Sequence, residues 1–401
     1  MRKSFLPHLN ILTLIITHFF WGYVNILYAI NIQPFIIALI GTNSETASIL
    51  GLILSIGTLS AVVPLFFGYL GDWYGRKNLI VVGQFLNVIG MLGIGFFSSN
   101  IFYSVLWIII FNIGVGFYDP PLQGLIYESS RAVNRGRIYS IIYNSASIGG
   151  IIGALLIQTF GDELLLDLFQ SGGFILLFTL LFNLIFLKDL HPNFKKARIP
   201  IKQFLTDPFA GTTALAFIID TFAWGLSLSI LNGVLILAFG VDSSFLGEIT
   251  LIQSFLLVIL QFPAGYLVDK IGRTFGLLMG EFVGICWISI LLYTFTFPSD
   301  FALDLVVVAS GVLGVSIAFW RPAVTLSFIE VDKSAVATNF GILTFIQRMG
   351  WVPTAAIGGF LFSMFNFQIL LLITFFGTLI VVYLFLRLER IGRTRLEIIS
   401  S

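Results

Sequence analysis

Four charged side chains stand alone inside long apolar runs: Asp119, Asp220, Arg321 and Arg348. An acid in such surroundings can take up and release a proton, and an arginine can hold an anionic group through paired hydrogen bonds. Together the two types make a switch, in which an ionised acid binds the arginine and a protonated one lets it go. The alternative is a permanent ion pair with a structural role, such as Asp220 with Arg348. Asp119 precedes Glu128 by nine residues, and Arg321 precedes Glu330 by the same number, which is about 13 Å along a helix. An acid and a base therefore recur at matched positions. Glu281 also lies in an apolar run, but near its basic start. It is expected to reach back toward the adjoining loop rather than to join this set.

Uncharged groups in the same runs could line a binding cavity. Trp21 and Trp224 offer stacking faces, and Asn25, Tyr28, Asn144, Asn232 and Gln347 offer hydrogen bonds. For any one of them, packing between helices is the alternative. His8, His18 and His191 are scattered, with no His-x-x-x-His pair. No metal, cofactor or catalytic set is expected, and the chain is not read as an enzyme. A Gly-x-x-x-x-Gly-Lys-Ser/Thr loop is also missing, so ATP is not the direct energy source. Cys286 is the only cysteine, which excludes an intrachain disulfide, and it is expected as a small core residue.

The elements that carry these residues must be membrane helices. Of 401 residues, 58% are hydrophobic and 10% charged, and the mean hydropathy is +1.01. So few charges cannot cover a water-soluble surface of this size. The net charge of +1 offers no pull toward nucleic acid. A crossing helix needs roughly 20 apolar residues. Twelve such runs occur, near 9–33, 46–69, 78–97, 101–126, 137–160, 170–188, 208–238, 244–266, 275–296, 302–328, 335–362 and 366–387. Lipid leaves no backbone group a water partner, so these runs should be helical. The first run has a basic start but continues past position 30, so it is read as an uncleaved span.

The basic loop residues fall on one side of this map, and the opposite loops carry only acids, such as Glu45, Asp162 and Asp242. Positive loops mark the cytoplasmic face, so both termini are expected there. The stretch 189–207, with Pro192, Lys195, Lys196, Arg198 and Pro200, reads as a cytoplasmic linker. It separates a six-helix half over 1–188 from a second over 208–401.

One short pattern occurs once in each half. Residues 68–77 read GYLGDWYGRK and residues 265–274 read GYLVDKIGRT. Other pairs keep the same order: Trp21-Gly22 with Trp224-Gly225, Gly114-Val115 with Gly314-Val315, Asp119-Pro120 with Arg321-Pro322, and Glu128 with Glu330. Internal duplication in a polytopic chain is the mark of a transporter.

With its duplicated Gly-x-Leu-x-Asp-x-x-Gly-Arg loop and twelve spans, the chain resembles the major facilitator superfamily over nearly its whole length. Trp73 replaces the basic residue of the first copy. The resemblance implies two pseudo-symmetric six-helix halves around a midplane cavity lined by spans one, two, four, five, seven, eight, ten and eleven. It also implies a cytoplasmic gate made of Gly68, Asp72, Gly75, Arg76 and Glu128, repeated as Gly265, Asp269, Gly272, Arg273 and Glu330. An exporter signature of span five is kept only as Ser145-x-x-x-Gly149-Gly150-x-x-Gly153-Ala154, without its proline. The span-four arginine of many proton-coupled members is replaced by Ile110.

The expected function is secondary active transport by alternating access: proton-coupled efflux of a lipophilic or drug-like small molecule by a monomer in the cell membrane. Proton-coupled import of an organic anion is the alternative, on the strength of the two arginines. A non-transporting membrane receptor is the alternative of another class.

Overall fold

A computed structural model describes residues 2–60, 62, 75–130, 135–190, 207–297, 299–331 and 336–400. Among the described residues the helices up to 190 are α1 (Arg2–Ile40), α2 (Thr46–Ser60), α3 (Arg76–Phe97), α4 (Ile101–Ser129), α5 (Arg135–Phe160) and α6 (Leu165–Phe186). A short 3-10 turn, Gly161–Leu164, joins the last two. The described helices from 207 onward are α7 (Pro208–Leu228), α8 (Leu231–Phe239), α9 (Ser243–Ile271), α10 (Arg273–Thr296), α11 (Ala302–Val331), α12 (Val336–Trp351), α13 (Thr354–Met364) and α14 (Phe367–Ser400).

The protein is an all-α membrane protein, and its helices follow the apolar runs closely. Among the described residues, nine helical segments are long and apolar enough to cross a membrane, one of which, Ile141–Phe186, contains two successive spans. Span two is represented by α2, beyond which most of 61–74 lies outside the described residues. Spans seven and eleven are each broken in two. Span eleven breaks where Pro353, which has no N–H, caps α13. Span seven breaks at Ser229 and Ile230, just before Asn232 and Gly233, both poor helix formers.

The chain divides into two compact units. Unit 1 contains 1–46, 56–197 and 235–248, and unit 2 contains 47–55, 198–234 and 249–401. In unit 1, α3 packs on α4 and on α6, and α1 packs on α5 and on α6. In unit 2, α10 packs on α11 and on α14, and α7 packs on α12 and on α14. Span for span, these are the same pairings, so the duplication in the sequence is also a duplication of packing.

Each unit has its own core. In unit 1, Leu14, Ile80, Tyr118, Leu122, Leu125 and Ile142 pack together. In unit 2, Phe209, Phe217, Leu277, Val324, Val381 and Phe385 do the same. Many large side chains stay exposed, among them Phe178 at 48%, Phe262 at 63% and Phe376 at 61%. Burial inside and phenylalanine outside is what a lipid solvent requires. Cys286 is on this exposed surface and not in the core. Hydropathy alone cannot tell a lipid-facing position from a packed one.

Candidate functional site

The loop signature starts a helix in the same way twice. Gly75 and Gly272 are the N-cap residues of α3 and α10, with φ of 94° and 119°. Those angles strain any residue with a side chain, which explains a glycine at this point of each copy. Arg76 follows, and its Nη1 lies 3.1 Å from Glu128 Oε1 at the far end of α4, with side chains 12% and 17% exposed. Gly68 and Asp72 lie outside the described residues, as does the side chain of Glu330. Gly265 has open space around its Cα, Asp269 is exposed, and Arg273 is buried with its guanidinium 4.8 Å from the centre of the Phe209 ring.

An acid that the motif does not include completes each start. Asp189 Oδ1 accepts from the Lys77 backbone N–H at 3.0 Å, capping the first turn of α3. Lys77 Nζ in turn donates to the Leu184 carbonyl at 2.7 Å. In unit 2, Glu389 accepts from the Thr274 hydroxyl and interacts electrostatically with Arg273. In both cases the acid comes from the end of the unit's last span. Anions favour helix N-termini because unpaired N–H groups point at them.

Deeper in unit 1, aromatic rings dominate. Trp21 lies 5.1 Å from Tyr118 and 6.4 Å from Phe111, centre to centre. Tyr28 stacks on Phe111 at 4.2 Å, and its hydroxyl accepts from Asn112 at 3.0 Å. His18 is buried between Tyr118 and Tyr143. Asn144 is 7% exposed, and neither of its amide atoms meets a protein partner. Asn25 is exposed, and Asp119 is half-buried on α4 just before Pro120 and Pro121.

Unit 2 gathers polar groups at depth. Asp220 on α7 is 1% exposed, and Trp320 Nε1 on α11 donates to its Oδ2 at 3.2 Å. Glu281 on α10 is also 1% exposed, and Trp224 Nε1 donates to its Oε2 at 2.9 Å. Asp220 and Glu281 are also neighbours, close enough for each carboxyl to act on the other. Glu281 thus points into the helix packing and not toward the loop. Its position near the helix start is compatible with either direction, and only the fold brings Trp224 beside it. Arg321 is exposed on α11, Arg348 is half-buried in the last turn of α12, and Asn232 is half-buried on α8. Gln347 is also half-buried, with Nε2 lacking a protein partner.

Known proteins share both sequence and fold with this chain. The sequence profile of the Major Facilitator Superfamily matches residues 12–218. "Multidrug resistance protein MdtH" of Photorhabdus laumondii is 31% identical over 129 residues, which are 31% of this chain and 30% of that protein. The protein of the same name in Proteus mirabilis is 31% identical over 94 residues, 23% of each chain. The matches therefore span less than a third of these relatives. The fold matches over almost everything. A D-xylose–proton symporter aligns with a TM-score of 0.73 at 15% identity, over 94% of this chain and 97% of the other. The nucleoside transporter NupG, as a point mutant, aligns at 0.67 and 16% identity, over 94% and 99%.

Proposed function

The chain belongs to the Major Facilitator Superfamily, and we propose that it exports a lipophilic or drug-like small molecule by alternating access, driven by proton entry. The observation that carries this reading is Asp220, an acid 1% exposed in the middle of a membrane helix. Burying a charge at bilayer depth costs roughly 2.5–3.5 kcal/mol on insertion scales, so such a group needs a use. A proton taken from outside and released inside supplies the driving force that ATP does not. The partly exposed rings of Trp21 and Tyr28 could stack on an apolar or aromatic substrate, and the name of the MdtH relatives supports the same class.

In this reading the halves 1–188 and 208–401, joined by the linker 189–207, rock about a central cavity. The Gly75-Arg76 and Gly272-Arg273 loops, with Glu128 and Glu330, latch the cytoplasmic side. Both termini lie in the cytoplasm, and one copy in the cell membrane suffices. Asp119 and Asp220 act as acids, and Arg321 and Arg348 as anion or gate partners. Ethidium, a lipophilic cation, is the test substrate. Proteoliposomes with a pH gradient, acidic on the extracellular side, should move it outward at least tenfold faster than without the gradient. Equal rates with and without the gradient would sink the proton reading. Uptake of organic anions under the same gradient, without ethidium export, would replace it with import.

A further inference from the structure

Glu281 is the buried acid that the reading above leaves unused. Its carboxyl lies close enough to that of Asp220 for the two to interact, and each residue is 1% exposed. One oxygen of each is occupied by an indole N–H, from Trp320 at 3.2 Å and Trp224 at 2.9 Å. The other oxygens, Asp220 Oδ1 and Glu281 Oε1, are buried and receive no donor from the protein. An ionised carboxylate can only accept. Two of them this close, away from water, repel each other and leave those oxygens unsatisfied. One proton resolves both defects: it makes one carboxyl a donor and gives the other its missing hydrogen bond.

The duplication offers an internal control. Glu281 comes nine residues after Gly272, and nine residues after Gly75 stands Gln84. Gln84 is also 1% exposed, but its Oε1 accepts from Asn183 at 2.8 Å and its Nε2 donates to Thr179 at 3.5 Å. A neutral amide with partners satisfies packing at this position in unit 1. Unit 2 places an ionisable group there and sets a second acid against it.

The surroundings are built to hold the pair. A Cβ on Gly284 would lie 2.4 Å from the Trp224 ring, and one on Gly280 would lie 3.0 Å from Trp320 Cβ. Glycines on either side of Glu281 thus let both tryptophans approach. Among the described side chains, the elements packed on α7 and α10 carry other charged or titratable groups: Asp304 and Arg321 on α11, Arg348 on α12, and Tyr383, Arg387, Glu389 and Arg390 on α14, with Arg273 and Tyr293 on α10 itself. A hard metal ion would want six or more oxygens. This pair offers two that are not already facing an N–H.

We propose that Asp220 and Glu281 together bind one proton, held between spans seven and nine under the indoles of Trp224 and Trp320, and that this pair is the coupling site. Its use rests on the proton-driven reading above; its existence does not.

Infrared spectroscopy of the full chain at neutral pH, in detergent free of carbonyl groups, reads the site directly. The expected result is a protonated-carboxyl C=O band that shifts on exchange into D2O. It should be lost in Asp220→Asn and equally in Glu281→Gln, because either amide supplies the missing N–H in place of the proton. Trp224→Phe and Trp320→Phe should move the band without abolishing it, which checks that the bundle is intact. No such band in the wild-type protein, or a band surviving in either single amide variant, overturns the proposal. Ethidium efflux in proteoliposomes then tests the coupling role. Each amide variant should lose gradient-driven efflux at least tenfold while keeping exchange without a gradient. Wild-type efflux in both variants overturns coupling by this pair. If the wild-type protein moves no ethidium at all, the drug-efflux reading fails, and the infrared band alone decides the proton site.

Discussion

Gly284 shows how much can depend on a missing methyl group. The Trp224 ring occupies the place where its side chain would be, and the same ring donates to Glu281. Gly284→Ala is therefore expected to cost about 1–3 kcal/mol, the usual penalty for overfilling a packed core. Thermal unfolding in detergent, followed by tryptophan fluorescence, measures it. The Arg76–Glu128 contact makes a second case. Its side chains are 12% and 17% exposed, so the pair lies between a solvent-screened bridge and a fully buried one. Glu128→Gln should cost about 1–3 kcal/mol, short of the 3–5 kcal/mol of a fully buried pair. A drop in melting temperature within the error of the wild type would show the bridge to be thermodynamically silent. At this scale the sequence is readable only in part. The charge of Asp220 inside an apolar run is plain, but its partners come from distant spans. Trp320 is 100 residues away, and the Glu281–Trp224 bond joins residues 57 apart. No periodicity in a single run reports such contacts, and for that reason Glu281 reads in sequence as a loop-directed acid.

Helix ends are controlled by residues outside the helix concerned. The N-cap residue of α3 is a glycine without a side chain to cap with, and Asp189 supplies the acceptor from the end of span six. Asp189→Ala is expected to destabilise unit 1 by about 0.5–2 kcal/mol, the range for a lost cap. Hydrogen exchange should localise the effect to the first turn of α3; uniform exchange along the helix would contradict this role. The spans themselves were legible because about 20 apolar residues in a row have no other stable solution in lipid. Pro353 and the break at Ser229 were not, since runs of uniform hydropathy continue across both. A membrane helix can be interrupted without any loss of apolar character, so composition does not mark the interruption.

For the molecule as a whole, the repeat of helix pairings in the two units is the main organising fact, and α2 is where it is crossed. Residues 47–55 group with unit 2, while the chain from Ile56 groups with unit 1. Within unit 2, Ser48 Oγ lies 2.9 Å from Ser363 Oγ on α13, and Ser55 Oγ accepts from the Ala356 N–H at 2.9 Å. If transport separates residues 47–55 from α13, these two hydrogen bonds must part in each cycle. A Ser48→Cys, Ser363→Cys protein, oxidised to a disulfide of about 2.05 Å, should lose ethidium efflux at least tenfold and regain it on reduction. Full activity in the oxidised protein would mean that this end of α2 stays with α13 throughout. Cys286 gives such measurements a practical footing. A chain with one native thiol, exposed on α10, already carries a unique anchorage for a spin label or dye. A single engineered cysteine elsewhere therefore completes a molecular ruler, and motion can be followed with the rest of the protein left as nature made it.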